Sequence, residues 1–145
     1  MNESRLRLAA AGLALVGVGI AGYLLYVRHS GAAPACTSGG CETVQRSAYS
    51  EIFGVPVAAF GLVGYLSILV SSAVRGQPAR LGQALVALTA FGFSTYLLLV
   101  QVLVIGALCD WCLASDAVTT AVVGLALVRL RAGLAQTALG QNRHH

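Results

Sequence analysis

The chain has 145 residues, of which 57% are hydrophobic and only 10% are charged, and its mean hydropathy is +0.80. A water-exposed surface needs far more charge, so the composition excludes an ordinary soluble domain and predicts an integral membrane protein in contact with the lipid bilayer. The net charge of +4 comes from arginines scattered beside apolar runs. We expect no nucleic-acid partner, because the basic patch with interleaved aromatic residues is missing.

Four apolar stretches predict four membrane-spanning helices. The first follows Arg5 and Arg7, as a secretory signal would, but its length of about twenty residues suits a retained transmembrane helix better. The four expected spans cover about residues 8–27, 55–74, 81–108 and 111–128. We therefore predict an all-α membrane protein, a four-transmembrane-helix bundle.

The bundle forms a single expected domain over residues 1–131, followed by a polar C-terminal tail at 132–145. The pair His144-His145 at the end of the tail has the composition of a tag remnant. Only one long connection interrupts the apolar runs, the loop at 28–54. After Cys41 its apolar residues recur every four positions, which predicts a short amphipathic helix that lies in the membrane interface and caps the bundle.

The distribution of arginines predicts the orientation of the bundle. Two arginines, Arg28 and Arg46, fall on the side of the long loop. The other seven fall on the side that holds both termini and the turn at 75–80: Arg5, Arg7, Arg75, Arg80, Arg129, Arg131 and Arg143. By the positive-inside rule the termini are cytoplasmic, and the chain is a multi-pass protein of the inner (cytoplasmic) membrane. The loop at 28–54 and the turn before the last span then face the periplasm or the exterior.

This topology places both cysteine pairs on the non-cytoplasmic face, where disulfides persist. Cys36 and Cys41 lie in the long loop, and Cys109 and Cys112 form a Cys-x-x-Cys motif at the start of the last span. The N-terminus of a helix favours a thiolate, the form of cysteine that attacks a disulfide. Both pairs are therefore candidate catalytic cysteines.

Three interpretations of the four cysteines compete. Static disulfides would brace the outer face, but bridges that close such short loops add little stability. A zinc ion with four sulfur ligands is uncommon on an oxidising face, and we predict no metal site. A thiol–disulfide relay would pass electrons from the loop pair to the bundle pair and then to a lipid-soluble quinone between the helices beside Cys112.

The arrangement resembles the vitamin K epoxide reductase family. Both have four spans, a cysteine pair in the first outer loop and Cys-x-x-Cys at the outer start of the last span. Further matching features are Gly40-Cys41-Glu-Thr-Val44, Ser47 at six residues after Cys41, and Phe53-Gly54-Val-Pro56. The resemblance implies a quinone-linked, disulfide-forming oxidoreductase. Its quinone would be of the menaquinone, ubiquinone or vitamin K type.

The resemblance also implies a role for each cysteine. Cys36 would meet a thioredoxin-fold (DsbA-like) partner, Cys41 would pass electrons to Cys109, and Cys112 would contact the quinone. Many bacterial members carry the partner as a fused domain, whereas this chain stops soon after Arg131, so we expect a stand-alone bacterial-type homologue with a separate partner.

The quinone pocket is expected at Ser47, Ser50, Phe53, Gly54 and Pro56. Animal members carry an asparagine shortly before Phe-Gly and a tyrosine four residues after the Cys-x-x-Cys, and this chain has Ser50 and Asp116 there. Two alternatives remain. One is a DsbB-type disulfide generator, which has its cysteine pairs in the opposite order, and the other is a non-catalytic scaffold with structural disulfides.

Overall fold

The structure is a computed structural model that describes residues 2–143, so His144 and His145 lie outside the described residues. It is almost entirely helical. The five α-helices are α1 (Glu3–Ser30), α2 (Cys41–Gln45), α3 (Val57–Ala73), α4 (Gln77–Leu99) and α5 (Asp110–Asn142). A 3-10 turn covers Ala48–Ser50, a two-stranded hairpin pairs β1 (Glu51–Ile52) with β2 (Val55–Pro56), and a π-helical segment, Val100–Ile105, extends α4.

The lengths of the helices confirm an all-α membrane protein. Helices α1, α5 and the continuous segment Gln77–Ile105 are long and apolar enough to cross a bilayer. Helix α3 is apolar but has only 17 residues. This is slightly short of the roughly 20 residues that a helix needs to cross the hydrocarbon core, so the fourth span stays a prediction.

The four long helices pack in a ring, in which α1 contacts α3 and α5, and α4 contacts α3 and α5. The core is built largely from small side chains such as Ala14, Ala87 and Ala126, around Tyr65 and Ile68. Small residues let helix backbones approach closely, which is how helices associate where lipid supplies no hydrophobic driving force.

The capping segment differs from the predicted amphipathic helix. Helix α2 ends at Gln45, and the chain then forms the 3-10 turn and the β-hairpin. The residues at the hairpin tip explain the difference, because Phe53 (φ 52°) and Gly54 (φ 78°) are both left-handed. Two consecutive residues with positive φ match the twist of paired strands and cannot continue a right-handed helix.

Helix α5 is longer than the expected last span at 111–128. Helix α5 continues past Arg131 to Asn142, through a stretch rich in alanine and leucine, both strong helix formers. Gly133 allows this extension to pack closely against α4, since a Cβ atom there would lie 2.3 Å from the Arg80 guanidinium.

One end of the bundle gathers three arginines, and we call it the arginine end, defined by half-buried Arg7 and Arg80 and buried Arg129. Arg129 is 1% exposed and donates hydrogen bonds to Glu3 of α1 (2.7 Å) and Gln83 of α4 (2.7 Å), and also to backbone carbonyls at the end of α3. The four cysteines lie at the opposite end, the cysteine end. The buried hydrogen bonds of Arg129 and the four cysteines therefore lie at opposite ends of the bundle.

Candidate active site at the cysteine end

The loop pair forms a disulfide between Cys36 and Cys41. Cys41 is completely buried at the start of α2, whereas Cys36 is half-buried and nearer the surface. The outer sulfur of this disulfide is thus the more accessible one for a thiol that approaches from outside.

The bundle pair, Cys109 and Cys112, consists of free thiols. Cys109 is fully buried in the connection before α5 and caps the helix, since its sulfur accepts a hydrogen bond from the backbone N–H of Cys112 (3.3 Å). The Cys112 thiol and this N–H lower the pKa of Cys109 below its ordinary value, against the effect of burial. Cys109 is therefore the cysteine of the pair that ionises first.

The disulfide loop is fastened onto the Cys-x-x-Cys turn by hydrogen bonds. The Asp110 carboxylate accepts from the backbone N–H groups of Thr37 (2.7 Å) and Ser38 (3.1 Å). The Ser38 hydroxyl donates to the Leu108 carbonyl (3.0 Å), and the Trp111 indole donates to the Ala35 carbonyl (2.6 Å). A loop from far upstream is thereby held against the start of α5.

Close backbone contact completes this docking. A Cβ atom at Gly40 would lie 2.3 Å from the Leu108 carbonyl oxygen, so only glycine fits between the loop and the turn. As a result, Cys41 and Val44 of α2 form one buried cluster with Cys109. The structure brings together all four cysteines that the sequence singles out.

Two glutamines also take part in the site, and sequence reasoning missed both. Buried Gln101 accepts a hydrogen bond from the backbone N–H of Cys109 (3.0 Å), and Gln45 lies with its amide nitrogen 3.8 Å from the Cys112 sulfur. Gln101 belongs to the π-helical segment, an irregularity frequent at functional sites. The one signal in the sequence concerned Gln101, which is a polar residue inside an apolar run.

A cavity of about 660 Å³ opens beside the bundle pair. Its walls come mainly from aliphatic and aromatic side chains of α1, α3 and α4, and Cys112 is the one cysteine among its lining residues in the described chain. A volume of this size suits a small organic molecule, and the walls suit an apolar one.

The residues expected in the quinone pocket divide into two groups. Ser47 and Ser50 line the cavity. Phe53 is fully exposed at the hairpin tip, and neither it nor Gly54 or Pro56 is among the lining residues. The hydroxyl of Ser47 donates to the Val44 carbonyl (2.7 Å), and Ser50 donates to the Ser47 carbonyl (2.8 Å), so both also stabilise the capping segment.

The sequence model of the vitamin K epoxide reductase family matches residues 8–127, most of the chain. The chain belongs to this family. The resemblance inferred from the cysteine pairs is thereby confirmed, and so is the class of chemistry, because the family consists of oxidoreductases. The matched region contains both cysteine pairs and the cavity-lining parts of α1, α3 and α4.

One group of side chains at the cysteine end could be considered as a metal site. Cys36, Cys41 and Asp110 each offer one ligand atom, and these atoms lie within 4.8 Å of one another. The two sulfurs are bonded to each other, however, and the thiolate is the form of cysteine that ligates metals. In this cluster Asp110 docks the loop and the two cysteines form a disulfide, so the arrangement does not match a metal site.

Proposed function

We propose that this family member is a quinone-dependent thiol–disulfide oxidoreductase, which oxidises a separate thioredoxin-fold protein and reduces a membrane quinone. The observation that carries the proposal is the order of the sulfurs in space. A half-buried Cys36 is bonded to buried Cys41, Cys41 shares a cluster with Cys109, and Cys112 faces an apolar cavity. This order leads from the surface to a site for a lipid-soluble acceptor.

The first step takes electrons from the partner. A thiolate of the reduced partner attacks Cys36, which breaks the Cys36–Cys41 bond and forms a mixed disulfide. The second partner thiol attacks that mixed disulfide and leaves as an oxidised partner. Two electrons and two protons have then passed to the loop pair.

The second step passes these electrons inward. Cys41 attacks Cys109 of the oxidised bundle pair, so that the Cys109–Cys112 bond breaks and Cys112 takes the electron pair. Cys36 then attacks Cys41 and restores the loop disulfide, which releases Cys109. An oxidised loop pair with a reduced bundle pair, the arrangement of the four sulfurs in the structure, is the state expected after this step.

The third step oxidises the bundle pair. Cys109 and Cys112 form their disulfide and give two electrons to the quinone in the cavity, which takes up two protons and leaves as quinol. Cys112 is the cysteine that lines the cavity, so we assign the quinone contact to it. Ser47 and Ser50 line the same cavity and would border the bound quinone, whereas Phe53, Gly54 and Pro56 would support the capping hairpin.

We propose the same orientation as the arginines predict, with the arginine end cytoplasmic and the cysteine end periplasmic or extracellular. Buried Arg129 and its partners at one end support it, because basic residues concentrate on the cytoplasmic side. The partner's thiols and the disulfide loop would then meet in an oxidising compartment.

The test uses the purified full chain in lipid nanodiscs, with a reduced thioredoxin-fold protein as electron donor and menadione as acceptor. Wild type is expected to form quinol as the donor is oxidised. Cys112→Ala should abolish quinol formation, while the donor still reduces the Cys36–Cys41 disulfide, as thiol trapping would reveal. Full turnover in Cys112→Ala would refute the assignment, and failure of wild type with every quinone tried would refute the function.

A further inference from the structure

The cavity beside Cys112 is lined by an acidic side chain, Asp116, that the relay does not use. Asp116 lies four residues after Cys112 on α5, so both side chains fall on the same face of the helix. Both line the cavity. An ionisable residue within a membrane-spanning helix is costly to bury, which makes its presence a reason to look for a role.

The hydrogen bonding of Asp116 leaves one oxygen available. Oδ1 accepts a hydrogen bond from the Ser94 hydroxyl of α4, and Oδ2 is buried without a hydrogen-bond partner in residues 2–143. Neighbouring hydroxyls of the cavity are already engaged, since Ser67 donates to Val63 and Thr89 donates to Leu85. A buried polar oxygen without a partner calls for an explanation, and a ligand in the adjoining cavity supplies one.

The surroundings favour the neutral acid. No ion pair joins Asp116 to a basic side chain within the described part of the chain, and a buried carboxylate without a cation is far less stable than a carboxylic acid. With Oδ1 accepting from Ser94, the acidic proton belongs on Oδ2. A carboxylic acid held neutral in an apolar site can donate this proton to an oxygen atom.

From this geometry we propose that Asp116 is the catalytic acid of quinone reduction, which donates the Oδ2 proton to a carbonyl oxygen of the quinone, while Ser94 is a positioning residue that orients the carboxyl group. The inference rests on the proposed function. It adds a proton donor to the electron path that ends at Cys112.

The step balances when Cys109 starts as the thiolate and Cys112 as the thiol. The two sulfurs form a disulfide and release two electrons, and the S–H bond of Cys112 breaks. One quinone oxygen receives the Cys112 proton and the other receives the proton of Asp116, which gives quinol. Asp116 then regains from water the proton that Cys109 released when it ionised.

The experiment measures a single turnover. The full chain in nanodiscs is prepared with Cys109 and Cys112 reduced, mixed rapidly with menadione, and followed by quinol formation. Asp116→Asn keeps a hydrogen-bond donor of the same shape but has no transferable proton, so quinol formation should slow by about 100-fold. The apparent affinity for menadione and reduction of the loop disulfide by the donor should change little.

Two further variants separate a proton donor from a structural residue. Asp116→Ala opens space for a small acid, and added formic acid should restore part of its rate. Ser94→Ala keeps the carboxyl group and should slow quinol formation about tenfold, as expected for a misplaced acid. Thr120→Val is the matched control, because its hydroxyl bonds the Asp116 backbone carbonyl on an exposed face, and it should react as wild type does.

The outcomes distinguish the two proposals. If wild type reduces menadione and Asp116→Asn does so within threefold of the wild-type rate, Asp116 is not the acid and the proposed function stands. If Asp116→Asn does not fold, a wild-type rate in Ser94→Ala overturns the inference in its place. If wild type leaves menadione unreduced, both proposals fail together.

Discussion

The arginine end and the cysteine end of the bundle are held together by the same kind of interaction in opposite settings. At the arginine end, Arg129 is buried and joins α5 to Glu3 of α1, to Gln83 of α4 and to the end of α3. At the cysteine end, Asp110 holds the disulfide loop through backbone N–H groups that face solvent. Charge-assisted hydrogen bonds are strong when buried and weak when water competes.

Because of this difference, the helices stay packed at the arginine end, whereas the disulfide loop at the cysteine end can undock and dock again. Removal of one partner from a buried charged network leaves another charge without compensation, so the arginine end has no low-energy open form. The loop can undock by exchanging its hydrogen bonds for bonds to water. The proposed relay would need such freedom, because Cys36 would have to reach a partner and Cys41 would have to return to Cys109.

Loss of Arg129 should have the largest effect on stability. Arg129→Ala removes the buried guanidinium that joins Glu3 and Gln83 and leaves Glu3 with only the longer ion pair to Arg80, so we expect the free energy of unfolding in detergent to fall by about 3 kcal/mol. Arg46→Ala is the matched control, since its ion pair with Glu42 on α2 is exposed, and its effect should stay below about 0.5 kcal/mol. Equal effects of the two variants would contradict the contrast between the ends.

Loss of the loop contact should act on rate rather than on stability. Asp110→Ala removes the acceptor for Thr37 and Ser38, and we expect electron transfer from the loop pair to the bundle pair to slow about tenfold or more because Cys41 is less well aligned. Quenched-flow thiol trapping measures this rate. Glu42→Gln, a nearby exposed change that does not touch the docking contacts, should leave the rate unaltered.

The smallest effect concerns the ionisation of Cys109. Because the pKa of this thiol is lowered, the Cys109 thiolate should form with a midpoint below the ordinary value near 9 and be lost as pH falls through that midpoint. Ultraviolet thiolate absorbance, measured against Cys109→Ser, reports this midpoint. Cys112→Ala removes the hydrogen bond from the Cys112 thiol, and the midpoint should then move towards the ordinary value near 9. An unchanged midpoint would show that the Cys112 thiol does not stabilise the thiolate.

Features that depend on local composition could be predicted from the sequence, whereas features that depend on backbone geometry and long-range contacts could not. Composition and apolar run length report how a segment partitions between lipid and water, so the helical membrane fold could be predicted. The capping segment is helical only over α2, and α5 is longer than the expected last span. The positive φ values of Phe53 and Gly54 turned the capping segment into a hairpin, and contact between Gly133 and Arg80 accompanies the longer α5.

Residue types and their spacing were enough to predict the membrane character, the two cysteine pairs and the family. The packing of Cys41 against Cys109, and the cavity that α1, α3 and α4 form beside Cys112 and Asp116, join segments far apart in the chain, so local periodicity does not encode them. The hydrogen bond between Gln101 and the Cys109 backbone is closer in sequence, but it depends on the irregular π-helical segment that ends at Ile105. These features therefore became apparent only once the docked loop and the packed helices were known.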